Sequence, residues 1–186
     1  SLFRGLIGES FIVFALAAIG LNVHFGFTGL LNFGQAVFMA AGAYGLAMMV
    51  ATIGPAANRN FGWNLSESTL FWLGIFVGVI VFPVIFALIM GIPTLRLRAD
   101  YLAIVTIAVA EIFRIVVRSP TPGIKKWTNS SDGLTGFSGT FYDMSPFGTQ
   151  DRYLFNLFTG NQMFLVIVGW VVLAIAATVC WLLIRS

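Results

Sequence analysis

The sequence predicts an all-α membrane protein, a polytopic helical bundle with about five transmembrane helices, one of them broken near residues 26–32. Hydrophobic residues make up 59% of the chain and charged residues only 9%. Soluble domains carry about 25% charged residues, and a soluble protein this apolar would have too little polar surface to cover its core. The apolar residues also fall into runs of about 20, the length that an α-helix needs to cross a bilayer.

The apolar runs predict spans at residues 11–27, 31–53, 69–92, 101–117 and 162–184. A polar loop at 54–68 separates the second span from the third, and a short basic turn at 93–100 separates the third from the fourth. Within the third span, Gly74 and Gly78 form a small-xxx-small pair, which favours close helix packing. Pro83 should kink the same helix, since proline removes one backbone hydrogen bond.

The segment at 119–161 is the longest polar stretch of the chain. It is rich in Ser, Thr, Gly, Asn and aromatic residues and contains Pro120, Pro122 and Pro146. This composition predicts an irregular surface segment, with no hydrophobic core of its own. We therefore expect a single transmembrane domain over residues 1–186, in which 119–161 forms a long extracytoplasmic loop.

The basic residues predict the orientation of the chain. Lys and Arg in short loops concentrate on the cytoplasmic side of a membrane. Arg96, Arg98 and Arg185 fall on one side of the predicted spans and outnumber Arg4 and Arg59 on the other. The basic turn and the C-terminus are therefore predicted to be cytoplasmic. This juxtamembrane placement explains the net charge of +3, so we expect no nucleic-acid partner.

Enzymatic chemistry finds little support in the sequence. His24 is the only histidine and has no Cys, Asp or Glu at ligand spacing, and the only cysteine, Cys180, lies in an apolar run. No G-x-x-x-x-G-K-[ST] loop is present, so nothing predicts nucleotide binding through a P-loop. We expect no catalytic residue, metal site or cofactor site in this chain. Any ATP and Mg²⁺ that drive transport would be bound by partner ATPases.

The stretch at residues 20–36 is too polar and too rich in glycine for an ordinary lipid-facing helix. Polar groups and backbone breaks at membrane depth persist only where protein or a water-filled cavity satisfies them. The glycines and amides could serve close helix packing. Alternatively, a helix broken here would begin again near position 28 or 32 and offer free N–H groups to a carboxylate. The candidate pathway residues are Asn22, Thr28, Gly29, Asn32 and Gln35.

Glu111 is the most informative single residue. It lies ten positions after Tyr101, roughly 15 Å along a helix, where a charge is normally paired or faces a cavity. Arg114 at i+3 is close enough for an intramembrane ion pair with it. The sequence favours a structural pair that fixes this helix in the bundle, with a direct role on the substrate path as the alternative. Thr106 on the same span is expected only to bond back to its own helix.

Three segments resemble the bacterial branched-chain amino acid ABC transporter permeases, and in particular the LivM-type subunit. They are GLNVHFGFTGLLNFGQAVFMAAGAY at 20–44, LRLRADYLAIVTIAVAEIFR at 95–114 and SDGLTG at 131–136. Ala99 stands where this family usually has a glycine, and Thr128-Asn129-Ser130 replaces its Thr-Gly-Gly step. These departures put the local turn before position 131 in doubt but leave the family resemblance intact.

The resemblance implies a permease subunit of an ATP-driven ABC importer in the bacterial inner membrane, which translocates branched-chain amino acids by alternating access. The implied partners are a homologous second permease subunit, two cytoplasmic ATPase subunits, an extracytoplasmic substrate-binding protein and membrane lipid. Family members continue into a cytoplasmic loop that contacts the ATPase and into C-terminal spans, so we expect this chain to be a fragment that lacks both.

Two other functions stay open at this point. The first is a permease of the same family that carries urea or short amides. The second belongs to a different class of protein, a passive channel or a non-transporting membrane scaffold subunit.

Overall fold

The structure is a computed structural model that describes residues 2–29, 32–94, 99–148, 151–153 and 157–185. Most of the predicted basic turn, at 95–98, lies outside the described residues. In chain order, the helices and strands are α1 (Leu2–Ile7), α2 (Glu9–Thr28), α3 (Gln35–Met48), α4 (Gly54–Phe61), α5 (Glu67–Gly74), α6 (Phe82–Thr94), α7 (Ala99–Val117), α8 (Pro122–Thr128), α9 (Gly139–Asp143), β1 (Arg152–Tyr153), β2 (Phe158–Thr159) and α10 (Gly160–Arg185).

The helical membrane fold predicted from the sequence is confirmed. Four stretches of the described residues are long and apolar enough to cross a membrane: Glu9–Thr28, Gln35–Phe61, Glu67–Ile92 and Gly160–Arg185. The fourth predicted span forms α7, which has 19 residues and differs from the others in carrying Glu111 and Arg114. The interruption predicted near 26–32 lies between α2 and α3, and each of these helices belongs to a stretch of spanning length.

The polar loop predicted at 54–68 is wrong over its first half. From α3 the helix continues through a π-helical turn, Met49–Ile53, into α4. Pro55 lies in the first turn of α4, and its fixed backbone angle suits a helix start. Gly62 then ends the helix with a φ of 64°, a left-handed conformation that glycine adopts without steric cost. The second span therefore extends beyond its apolar run.

Pro83 also follows a π-helical segment. The third span consists of α5, the π-helical residues Ile75–Val81 and α6, and Pro83 lies in the first turn of α6. Proline lacks the N–H that an α-helix would use at this position, and the hydrogen-bond pattern changes just before it. A change of helix direction at Pro83 stays a prediction.

Before α10 begins at Gly160, the described residues of the segment at 119–161 form only short elements. They are α8, a single 3₁₀ turn at Ser130–Asp132, α9 and the antiparallel pair β1–β2. The described chain as a whole forms two compact units. The first unit comprises Ser1–Gly29 with Phe141–Ser186, and the second comprises Leu30–Thr140. A single domain over 1–186 and an extracytoplasmic position for 119–161 stay predictions.

In the first unit, α2 and α10 pack side by side and run in the same direction. Beside the start of α2, the Trp170 indole N–H donates to the carbonyl oxygen of Ile7 over 3.2 Å, and the Trp170 ring stacks on Phe11 with centroids 5.8 Å apart. Further along both helices, Asn22 and Cys180 line the same small cavity. The small buried core of this unit consists of Ile12, Phe158, Val166 and Leu173.

In the second unit, α3 packs against the third span in the opposite direction and at very short range. A Cβ built on Gly45 would lie 2.6 Å from the Cα of Gly78, and one built on Gly78 would overlap the backbone of Leu46. One built on Gly74 would meet the Leu46 side chain at 2.8 Å. The packing role predicted for Gly74 and Gly78 is therefore confirmed, because side chains at these positions would force the helices apart.

The opposite side of α3 faces α7, and these two helices run in the same direction. The backbone before α3 bonds to the first half of α7, where the Phe33 N–H donates to the Thr106 hydroxyl over 3.2 Å. Further along both helices, the rings of Tyr44 and Phe113 meet edge to face, with centroids 6.5 Å apart.

The relative directions of the packed helices indicate whether α7 crosses the membrane. Because α2 and α10 are parallel, an odd number of crossings must separate them along the chain. The stretches Gln35–Phe61 and Glu67–Ile92 supply two. A crossing by α7, as predicted from the sequence, would supply the third, and it agrees with α7 running parallel to α3. Parallel packing therefore supports the five predicted crossings, although α7 carries more charge than the other spans.

Replacing Gly78 with Ala should destabilise the protein, because the new methyl group would overlap backbone atoms of α3 that cannot move aside. We expect a loss of about 3 kcal/mol, the upper end for overpacking a core, seen as a lower midpoint of thermal unfolding in detergent. Gly91→Ala is the control, since its Cβ would meet nothing within 4 Å. An unchanged midpoint for Gly78→Ala would contradict this packing.

Candidate functional site

The connection before α3 is fixed by two side chains that accept backbone hydrogen bonds. Asn32 Oδ1 accepts from the Gly34 N–H at 2.9 Å, and the Thr106 hydroxyl accepts from the Phe33 N–H at 3.2 Å. The same hydroxyl donates to the carbonyl oxygen of Ala103 over 3.0 Å. Thr106 is only 1% exposed, so a buried hydroxyl supplies the hydrogen-bond partner of the partly buried Phe33 N–H.

The predicted hydrogen bond from Thr106 back to its own helix is therefore confirmed, but the prediction did not include the bond that Thr106 accepts from Phe33. Thr106 holds the connection between the first two spans against α7. Sequence reasoning missed this because the partners are 73 positions apart, and a threonine in an apolar helix gives no sign of which distant N–H it accepts from.

Helix α3 begins at Gln35, beyond both of the starts considered from the sequence. Gly34 is its N-terminal cap, and no side-chain oxygen caps the helix. Gly34 is buried: a Cβ there would lie 3.0 Å from Asn32 Oδ1 and 3.3 Å from both Met90 Cε and Thr106 Cβ. The tight turn that Asn32 makes with Gly34 delays the helix start by a few residues, since Asn side chains bond readily to nearby backbone.

The upstream candidates lie at the end of α2. Gly29 ends this helix at a φ of 67°, and its N–H donates to the carbonyl oxygen of Phe25 over 2.8 Å. The Thr28 hydroxyl donates to the carbonyl oxygen of His24 over 2.7 Å. Asn22, one and a half turns earlier, lines a cavity of about 250 Å³ beside Cys180. The hydrogen bonds of Gly29 and Thr28 therefore terminate α2.

The five candidate pathway residues are thus divided between the two units. Asn22, Thr28 and Gly29 belong to the first unit, and Asn32 and Gln35 to the second. Within the second unit, Asn32 and Gln35 flank Gly34, and Asn32 is engaged in the turn. Contact of any of the five with a substrate stays a prediction.

Glu111 and Arg114 form a bidentate ion pair on α7. Arg114 Nε donates to Glu111 Oε2 over 2.9 Å, and Arg114 Nη2 donates to Glu111 Oε1 over 2.5 Å. The two side chains are 51% and 55% exposed. Their hydrogen bonds within the described residues join one turn of a single helix, so this pair does not tie α7 to a neighbouring helix. The two roles considered from the sequence, as a structural pair or on the substrate path, stay predictions.

The pair opens onto a cavity of the second unit that is about 510 Å³ in volume. We call it the α3–α7 cavity, because α3 supplies one wall and α7 the other. Apart from the ion pair, Tyr44 and Arg118 at one end, its lining is apolar. The full lining is Ala36, Val37, Ala40, Tyr44, Ile107, Ala110, Glu111, Phe113, Arg114, Val117 and Arg118.

Tyr44 also borders a second, smaller cavity of about 200 Å³. This one is lined by the last turns of α3 and by Gly133, Leu134 and Phe137. The three segments that carry the family resemblance thus meet along α3. Sequence reasoning left Tyr44 out, although Ala36, Ala40 and Tyr44 recur at the four-residue spacing that places side chains on one helix face.

Apolar spans that surround a cavity with charged side chains are typical of membrane transport proteins. The chain belongs to the family described as branched-chain amino acid transport system / permease component, which matches residues 6–186. Membership of this family means that the chain is a permease component of a transport system.

Two relatives carry the name high-affinity branched-chain amino acid transport system permease protein LivM, one from Salmonella typhimurium LT2 and one from Escherichia coli K12. Each is 34% identical to this chain over 110 residues, which cover 59% of the chain and 22% of the relative. The matched region is therefore about a fifth of the length of these relatives. No solved structure matches the chain.

Replacing Thr106 with Val should leave the partly buried Phe33 N–H without its acceptor. We expect a loss of about 1–3 kcal/mol of stability, the range for an unsatisfied buried group, and faster hydrogen exchange at the Phe33 amide. Thr106→Ser should restore both values. Thr178→Val is the matched control, because Thr178 bonds only within α10, to the Ala174 carbonyl at 2.7 Å, and is exposed. Unchanged exchange at Phe33 in Thr106→Val would refute the assignment.

Proposed function

We propose that this chain is part of the membrane-spanning permease of an ATP-driven ABC importer that carries branched-chain amino acids across the bacterial inner membrane. The family match over residues 6–186 is the observation that carries the proposal. The printed names of the two relatives support the same substrate class. The chain contains only part of the length of those relatives, so import would require the full-length subunit.

The proposed mechanism is alternating access, in which the bundle changes between two packings that open to opposite sides of the membrane. The two faces of α3 suit this role. Its glycine face is locked against the third span at Gly45 and Gly78, whereas its other face borders a cavity. A change of shape would therefore occur most easily on the α7 side of α3, where fewer contacts have to be remade.

The proposed partners are a homologous second permease subunit, two cytoplasmic ATPases and an extracytoplasmic substrate-binding protein. ATP and Mg²⁺ would be bound by the ATPases, whose binding energy biases the two packings. In the proposed orientation, the 93–100 turn and the C-terminal end of α10 lie in the cytoplasm. This orientation follows from the Arg residues of short loops.

Uptake into proteoliposomes tests the proposal. The full-length permease complex, with its ATPases and binding protein, should accumulate labelled leucine when ATP is supplied to the ATPase side. A complex whose ATPases lack the P-loop lysine is the control and should not accumulate leucine. Leucine flux that persists in this control would favour a passive channel. Accumulation of urea in place of leucine would favour an amide permease, and no flux of either solute would favour a scaffold.

A second test concerns the end of α2, where Gly29 adopts a left-handed conformation with a φ of 67°. Leucine pays roughly 1–2 kcal/mol in this conformation, so Gly29→Leu should shift the helix end and abolish uptake while the subunit still assembles. Gly29→Asn is the control, because asparagine tolerates the left-handed region better. We expect this variant to keep most of the uptake. Wild-type uptake by Gly29→Leu would remove this segment from the pathway.

A further inference from the structure

We propose that the α3–α7 cavity binds the substrate as a zwitterion, with the α-carboxylate on Arg114 and the α-ammonium on Glu111. This inference rests on the proposed function and deepens it, because it assigns the recognition of the substrate's charged end to two side chains of this chain. It also separates amino acids from the neutral amides that related permeases would carry.

Each charge of the pair is opposite in sign to one charge of the substrate, so the two are complementary. A guanidinium presents a planar fork of N–H donors that suits a carboxylate, and a carboxylate accepts the N–H donors of an ammonium group. Arg114 and Glu111 already form such a two-bond contact with each other. A free amino acid carries the same two groups on one carbon atom, so it can bridge the pair and replace this internal contact with two of its own.

The internal ion pair is accessible to a ligand. Both side chains are about half exposed, so a solute in the cavity can reach both charges. Within the described residues, they make no hydrogen bond to another helix that would have to break. The pair therefore keeps both charges neutralised at membrane depth while the site is empty, and it gives way when a substrate supplies better partners.

The rest of the cavity suits an aliphatic side chain. Val37, Ala40, Ile107 and Phe113 line it with apolar surface, and its volume of about 510 Å³ falls within the range of about 300–1,000 Å³ that is usual for small-molecule pockets. A branched aliphatic chain buried against these walls gains hydrophobic free energy. The cavity thus joins a charged end to an apolar body, as a branched-chain amino acid does.

The charge of Arg118 predicts an order of binding affinity among leucine and its analogues. With Glu111, Arg114 and Arg118 on the lining, the formal charge of the cavity is positive, so an anion is favoured over a cation. The keto acid of leucine has lost the ammonium and keeps the carboxylate, whereas leucinamide has lost the carboxylate and remains a cation. We therefore expect leucine to bind best, the keto acid less well and leucinamide least.

Ligand protection of a single cysteine tests the site directly, without requiring transport. The full-length complex, with Cys180→Ala and any other cysteines removed, receives Ala40→Cys in the wall of the cavity. The rate of maleimide labelling at position 40 is measured against leucine concentration, which gives an apparent affinity. Glu111→Gln and Arg114→Gln should each weaken protection by leucine about tenfold or more, the loss expected for one charged hydrogen bond.

The pattern across analogues distinguishes recognition from a structural role. Glu111→Gln should abolish the preference for leucine over its keto acid, and Arg114→Gln should abolish the preference for leucine over leucinamide. Ala43→Cys, which lines only the smaller cavity, is the control and should label at the same rate with or without leucine. Glu67→Gln and Arg59→Gln are matched charge controls outside the cavity and should leave protection unchanged.

The outcomes for the site and for the importer are separate. A complex that imports leucine while Ala40→Cys shows no protection would overturn the site and leave the importer standing. Protection that is the same in wild type, Glu111→Gln and Arg114→Gln would also overturn it. Protection with the expected analogue pattern, in a complex that imports no leucine, would support the binding site and contradict the importer.

Discussion

The close approach of α3 to the third span is the contact on which the second unit depends. Gly45 and Gly78 allow the two backbones to meet without side chains between them, and dispersion forces between closely packed helices are the main attraction available in lipid. Once α3 is held on this side, its opposite face is presented to α7. Two contacts join that face to α7, the Phe33–Thr106 hydrogen bond and the Tyr44–Phe113 ring contact, and the α3–α7 cavity is formed along the same face.

The position of the charged pair follows from this arrangement. A carboxylate and a guanidinium inside a crossing helix are expensive unless they are paired and face a cavity or protein. Glu111 and Arg114 satisfy both conditions: they bridge each other and open onto the cavity. The parallel packing of α2 and α10 supports a membrane crossing by α7 in spite of these charges. The most polar span of the chain is thus also the one that borders the α3–α7 cavity.

The local features of the chain could be predicted from the sequence because each depends on neighbours along one helix. Gly74 and Gly78 lie one helical turn apart, and Glu111 and Arg114 are at i and i+3, so a helix alone brings each pair together. The interruption near Gly29 could be predicted for the same reason. The loop predicted at 54–68 is wrong over its first half, because polar residues such as Asn58 and Arg59 do not end a helix. The helix ends at Gly62, which adopts a left-handed conformation.

The features that the sequence did not predict depend on contacts between distant segments. Nothing near Thr106 indicates that it accepts a hydrogen bond from Phe33. Tyr44 gains its position from the meeting of α3 with α7 and with the turn at Gly133, which only the folded chain brings together. The same holds for the ion pair, whose place on the lining of the α3–α7 cavity depends on how α3 and α7 meet.

The central claim is that α7 crosses the membrane with its charged pair inside. Labelling of single cysteines by a membrane-impermeant reagent in intact cells tests it, with one cysteine at Asn64, between α4 and α5, and one at Thr121, just after α7. Two crossings should separate these positions, so both should be labelled from the outside, as the proposed orientation requires. Labelling of one position and not the other would show that α7 fails to cross, and would contradict this account of the cavity.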